Sequence, residues 1–210
     1  TPAHPYPWTE RVAQPSPKLA GAPVEPKNRS RHDTQGGYGI PACVADFTLV
    51  DVGTAKHTKV ALPQGCAGAA QWSADGQRFA FQNAVDTSVQ LWVGDAVTGQ
   101  VKHVPDVQLN PIFGYTLQWL GGGQQLLVKR VPANQGPAPT SGNGPGGPDV
   151  QESLGSSGES STYEARDTLT SAHDEKLFAY YGLSQLAEDD VAAGQVRNVG
   201  TPALYNEVNA

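Results

Sequence analysis

Trp72-Ser73-Ala74-Asp75-Gly76-Gln77-Arg78-Phe79-Ala80-Phe81 is the stretch on which the fold turns. One apolar segment ends on a tryptophan, a Ser-Ala-Asp-Gly tetrad follows, and Phe79 and Phe81 then alternate with Arg78 and Ala80. A period of two places both phenylalanines on one side of a strand. Asp75-Gly76 supplies the residue that tolerates φ > 0, as a tight hairpin requires. The segment reads as strand, turn, antiparallel strand.

The same pieces recur on either side. Upstream, Asp46 to Val52 and Thr58 to Leu62 flank a polar turn at Gly53 to His57; downstream, Ser88 to Val93 and Gln100 to Val104 flank a turn at Asp95 to Gly99. Asp51-Val52-Gly53-Thr54 precedes Val60 by the offset at which Asp95-Ala96-Val97-Thr98 precedes Val104 and Asp190-Val191-Ala192-Ala193-Gly194 precedes Val199. The first two copies start 44 residues apart, and Trp72 finds a counterpart 47 residues on, in Trp119 with the turn Gly121-Gly122-Gly123 and the strand Gln125 to Lys129. Asp95 and Asp190 are 95 apart, which is two periods or one period plus an insertion. A period in the forties built from short strands is the spacing of β-propeller blades. The expected fold is all-β, a partial β-propeller of four-stranded antiparallel blades with a flexible insertion and two short helices. Blades bury their faces only by stacking, and two or three copies are too few to close a ring, so the chain reads as incomplete. Trp72, Phe79, Phe81, Trp92, Trp119, Leu127 and Phe178 are expected to be largely buried.

Four regions follow. Residues 1–44 form a proline-rich N-terminal arm, since proline fixes φ and removes a donor. Its Arg29, Arg31 and His32 read as a solvated positive spot. Residues 45–131 are propeller blades. Residues 132–182 are a Gly/Pro/Ser-rich insertion, expected to be mobile over Pro137 to Ser160. In the same region Ser161 with Glu164, and Ser171 with Asp174, give N-terminal capping signals for two short helices. Residues 183–210 start a further blade.

A net charge of −6, with no Lys/Arg cluster to override it, argues against nucleic acid. There is no run of eighteen apolar residues, so no membrane span is expected. The chain opens on Thr1 without a signal-peptide pattern, as a processed protein or a fragment would. For Cys43 and Cys66, a disulfide and a pair of buried thiols are both open; the disulfide implies an oxidising compartment and a periplasmic or secreted protein. Asn28-Arg29-Ser30 has the form of a glycosylation sequon.

Catalytic chemistry finds no constellation. His4, His32, His57, His103 and His173 do not pair at metal-ligand spacing, no Gly-x-Ser-x-Gly elbow exists, and Ser156 and Ser157 lie in a glycine-rich stretch. Glu188-Asp189-Asp190 reads as a solvated or turn-stabilising acidic run rather than a calcium loop. No catalytic, metal-binding or cofactor-binding residue is assigned, and no cofactor is expected. Lys129-Arg130 is the adjacent basic pair of the folded region. Arg130 is the candidate substrate contact, set against an edge residue in water.

With these motifs in view, the chain resembles the N-terminal propeller of the prolyl oligopeptidase family of serine peptidases, in the dipeptidyl-aminopeptidase, acylaminoacyl-peptidase-like and glutamyl-endopeptidase-like branches. The resemblance rests on Trp72 to Phe81, Leu91 to Gly99, Gln118-Trp119-Leu120 with Leu126 to Lys129, and Val150 to Ser153. Further along it rests on His173-Asp174-Glu175, Leu177-Phe178 and Tyr180-Tyr181. It implies a non-catalytic propeller that gates and helps select peptide substrates for an α/β-hydrolase domain of the same protein, with the remaining blades as partners and no hydrolase domain in these 210 residues. Under that resemblance Arg130 faces the hydrolase domain and attracts an acidic substrate side chain. The competing reading is a propeller-like binding or scaffold protein with no enzymatic domain.

Overall fold

A computed structural model describes residues 17–30, 43–140, 169, 171–206 and 208. Within them the strands pair antiparallel in four sheets of two to five strands. A small hairpin joins β1 (Lys18–Leu19) to β2 (Ala22–Pro23), and a second joins β3 (Phe47–Val50) to β4 (His57–Val60). The third sheet contains β5 (Cys66–Ala67), β6 (Gln71–Trp72), β7 (Arg78–Ala84), β8 (Val89–Asp95) and β9 (Val101–Gln108). Both β5 and β6 pair with β7, Cys66 opposite Ala84 and Trp72 opposite Phe79, so they are halves of one edge strand interrupted at residues 68–70. The fourth sheet runs β10 (Leu117–Trp119), β11 (Gln125–Arg130), β12 (Leu183–Asp190) and β13 (Gln195–Leu204) in order. None of the described sheets closes on itself.

The alternation read from the sequence decides what each face buries. Phe79 and Phe81 point from β7 toward the β3–β4 hairpin, where Phe47 meets them edge-on at centroid distances of 6.4 and 5.4 Å. Ala80, Val89, Leu91 and Val93 point the other way and pack against Leu117, Leu126, Val128 and Ala187 of the fourth sheet. The β3–β4 hairpin and the two larger sheets therefore form a stack held by two apolar layers, each buried side chain contributing about 1.5–3 kcal/mol. Gly94 lies opposite Phe79, and a β-carbon there would fall 2.1 Å from the ring, so the ring occupies the space that a side chain would need. Trp72 corrects an expectation: it is 52 % exposed, because its ring leans on Phe79 from the sheet edge and has solvent on its other side. Trp92, Trp119, Leu127 and Phe178 are half-buried.

One aspartate turn is used three times. Asp51 accepts from the backbone N–H and the hydroxyl of Thr54, Asp95 from the same two groups of Thr98, and Asp190 from the N–H groups of Ala192 and Ala193. Each closes the hairpin between the last two strands of its sheet. A second device repeats at the opposite hairpin, where the N–H of Gly76 donates to Ser73 O and that of Gly123 to Leu120 O. The two sheets differ in the connection between their middle strands. Residues 85–88 link β7 to β8, whereas residues 131–182 link β11 to β12. The excess of 48 residues is the insertion that stretches the Asp95-to-Asp190 separation. Strands β12 and β13, where the sequence suggested a further blade beginning, pair through β11 and complete the fourth sheet.

That connection ends in α1 (Ala172–Gly182). Ser171 accepts from Asp174 N–H while the Asp174 carboxylate accepts from Ser171 N–H, the reciprocal capping that the sequence signalled. The earlier helix signal at Ser161 and Glu164 lies outside the described residues, as do 141–160 of the expected mobile stretch. Residues before them are tied to the helix: Gln135 donates to Tyr180 O, and the Tyr180 hydroxyl donates to Gly136 O at 3.0 Å. Asn110, 1 % exposed, donates to Tyr181 O and Leu183 O and so fixes the end of the helix to the sheets.

Residues 17–30 pack under this helix, with Leu19, Ala22 and Val24 against Ile112 and Tyr181. Arg29 is buried rather than solvated. Its guanidinium lies 4.6 Å from the ring centroid of Tyr180 and 5.6 Å from that of Tyr181, a cation–π site. Arg31 and His32 lie outside the described residues. Asn28 of the sequon is 5 % exposed and donates to Val85 O at 2.8 Å, so its amide is unavailable to a glycan in the folded chain. Cys43 and Cys66 are joined in a disulfide with their Cα atoms 4.9 Å apart.

Candidate functional site

The inner edges of the two large sheets, β5–β6 and β10, face one another across a cleft of about 450 Å³. The interruption at residues 68–70 brings backbone to its wall: Gly68 N–H donates to Gln82 O, and a β-carbon at Gly68 would come within 3.1 Å of the Gln82 side chain. Gln71, Gln82 and Thr116 line it with amides and a hydroxyl, and the Thr116 hydroxyl donates to Gln82 Oε1 at 3.2 Å. The Trp119 indole N–H donates to Gln71 O at 3.0 Å, which holds the two edges in register across the gap. Tyr115 stands at the mouth with 80 % of its surface exposed. Among the described residues, the Tyr115 phenol is the one ionisable side chain that lines this cleft. Such a surface offers hydrogen bonds and apolar contact.

The residues singled out from sequence are scattered. Arg130, at the end of β11, donates to Asp106 O at 3.0 Å and to Asn198 Oδ1 at 2.8 Å, and it lines clefts at the outer strands instead of the inner-edge cleft. Lys129 is 2 % exposed and its ammonium reaches Tyr205 O at 3.2 Å. His57 lies on β4, His103 rests on Trp92 at 5.5 Å between centroids, and His173 is in the first turn of α1. His4, His32, Ser156 and Ser157 lie outside the described residues. Among the described residues no group of three or more His, Cys, Asp or Glu is placed to hold a metal ion.

The acidic run separates into three roles. Glu188 pairs with Arg197, Asp190 closes its turn, and Asp189 is buried at 1 % exposure with neither carboxylate oxygen hydrogen-bonded. The solvated or turn-stabilising role read from the sequence fits Glu188 and Asp190 and fails for Asp189. The missed signal is alternation: Gln185, Ala187 and Asp189 share one face of β12, and Ala187 belongs to the apolar layer between the large sheets. Burial, with the neighbouring Asp190 charge, pushes the Asp189 carboxyl up to about 6. The turn aspartates go the other way. The Thr54 hydroxyl holds Asp51 below its ordinary value, the Ser73 hydroxyl does so for Asp75, and the Thr98 N–H does so for Asp95.

No protein-family model matches the chain, and no curated protein does. Among solved structures, an acylaminoacyl peptidase from Pyrococcus horikoshii aligns with a TM-score of 0.36 and 16 % identity over 72 % of this chain. The chain spans 22 % of that peptidase's length. No helix among the described residues is long and apolar enough to cross a membrane.

Proposed function

We propose that this chain is a propeller-like binding and scaffold segment that holds an extended peptide in its inner-edge cleft. The observation that carries the reading is the cleft between two sheet edges, lined by uncharged hydrogen-bonding groups with an exposed tyrosine at the mouth. A peptide backbone offers the matching donors and acceptors, and aromatic side chains are frequent binding anchors. The repeated aspartate turns and stacked sheets support reading the two larger sheets as blades and the β3–β4 hairpin as part of a third. The Cys43–Cys66 bond supports export to an oxidising compartment.

The test uses acetylated, amidated hexapeptides without charged side chains, followed by backbone amide shifts at Gly68, Gln71 and Thr116. Tyr115→Ala is expected to weaken binding about tenfold. Absence of shifts at these three residues, or equal affinity in the variant, overturns the reading. The peptidase-gating role implied by the resemblance makes a separable demand. A Gly-x-Ser-x-Gly segment must follow in the same reading frame, and Arg130→Ala in that longer protein must reduce cleavage of Glu-containing peptides more than neutral ones.

A further inference from the structure

On the outer side the two large sheets part into a second cleft, of about 490 Å³, between β9 and the β12–β13 hairpin. Val93, Val101, Val104, Val191 and Val196 line it, and Asp189 is set into its wall. A buried carboxylate is ordinarily paired, because burying the charge alone is costly; here both oxygens are without a hydrogen-bond partner. The two arginines that line the cleft have other partners. Arg78 donates to Gly123 O at 3.4 Å, and Arg130 is held by Asp106 O and Asn198 beside Gln185, four residues along β12 from Asp189. The rim carries Arg78, Lys102, His103 and Arg130 against Asp95 and Asp106, so its overall charge does not draw a cation in. Selectivity has to come from the buried carboxylate.

We propose that this outer cleft binds a primary ammonium or guanidinium group on an unbranched aliphatic stem, with the head paired to Asp189 and the stem lying along the valines. A lysine or arginine side chain and a free aliphatic amine share that chemistry. The pairing is charge-assisted, and the stem covers apolar surface that is otherwise wet. Raising of the Asp189 carboxyl by burial is the state such a cation relieves.

Agmatine and a blocked Gly-Lys-Gly peptide are the probes, with 1-pentanol as the uncharged control, each titrated into the whole chain. Binding is read by calorimetry and by the Asp189 carboxyl carbon shift. One-to-one binding of a cationic probe that moves the Asp189 signal is expected, falling about tenfold or more in Asp189→Asn. Tighter binding of the peptide assigns the site to side chains, and tighter binding of agmatine to small amines. No binding at millimolar probe, equal affinity in Asp189→Asn, or 1-pentanol binding as well as the amines overturns the proposal. Should Asp189→Asn fail to fold, an Asp189 signal unmoved by saturating probe in the unmodified protein overturns it equally. None of these outcomes depends on the inner-edge cleft.

Discussion

Ala55 has φ 55° at the turn position where Gly99 and Gly194 have φ 71° and 64° in the two related hairpins. All three donate their N–H to the carbonyl of the turn aspartate, Asp51, Asp95 and Asp190 respectively. An L-residue there crowds its β-carbon against the backbone, at a cost of about 1–2 kcal/mol. Glycine removes that crowding but gives back up to about 1 kcal/mol in unfolded-state entropy. Ala55→Gly is therefore expected to stabilise the chain by roughly 0.5–1 kcal/mol. Urea denaturation should show a higher midpoint with an unchanged slope, and a midpoint that falls would contradict the strain assigned to this turn.

At the scale of elements, what was legible in the sequence is what local chemistry dictates. The aspartate turns, the Gly76 turn and the Ser171–Asp174 cap depend on residues two to four positions apart, and their offsets announced them. Burial set by distant partners was not legible. Arg29 is enclosed by tyrosines about 150 positions away, and Trp72 is exposed because its strand ends at a sheet edge. Asp189 was readable in principle, through its alternation with Ala187, but the acidic triplet outweighed that signal. Neither cleft was legible, since each needs two sheets brought face to face. Cys43 and Cys66, left open by sequence, are joined and tether the segment before β3 to β5 across 23 positions. Closing such a loop restricts the unfolded chain, so Cys43→Ser with Cys66→Ser is expected to cost about 3 kcal/mol. Denaturation of the double variant against the oxidised protein measures it. An unchanged midpoint, or two reactive thiols in the denatured unreduced protein, would remove the bond from the account of stability.

For the whole molecule, the carboxylates pull stability in opposite directions with pH. Asp51, Asp75 and Asp95 ionise more readily in the folded state. Their contribution is in place above the unfolded carboxylate value near 4 and is lost as pH falls through their lower folded values. Asp189 ionises less readily, so the folded state holds its proton longer and a penalty grows as pH rises from about 4 to about 6. Asp189→Asn should match the unmodified chain near pH 4 and exceed its stability near pH 7, by up to about 3 kcal/mol at 1.4 kcal/mol per unit. Chemical denaturation at the two pH values decides it; a difference that does not change with pH would mean that the carboxylate is not held neutral by the fold. The long connection between β11 and β12 carries a different lesson. Its counterpart closes over residues 85–88, yet both sheets keep their strand order and end in the same aspartate turn. Judged by length alone, closing residues 131–182 instead of four costs only about 2 kcal/mol more, because closure entropy grows with the logarithm of length. The register of β12 is thus dictated by its neighbours in the sheet and not by the turn that delivers it. The seam between the middle strands is accordingly where this architecture accepts added chain: length can accumulate there, and a helix can grow, without shifting any residue of the stack.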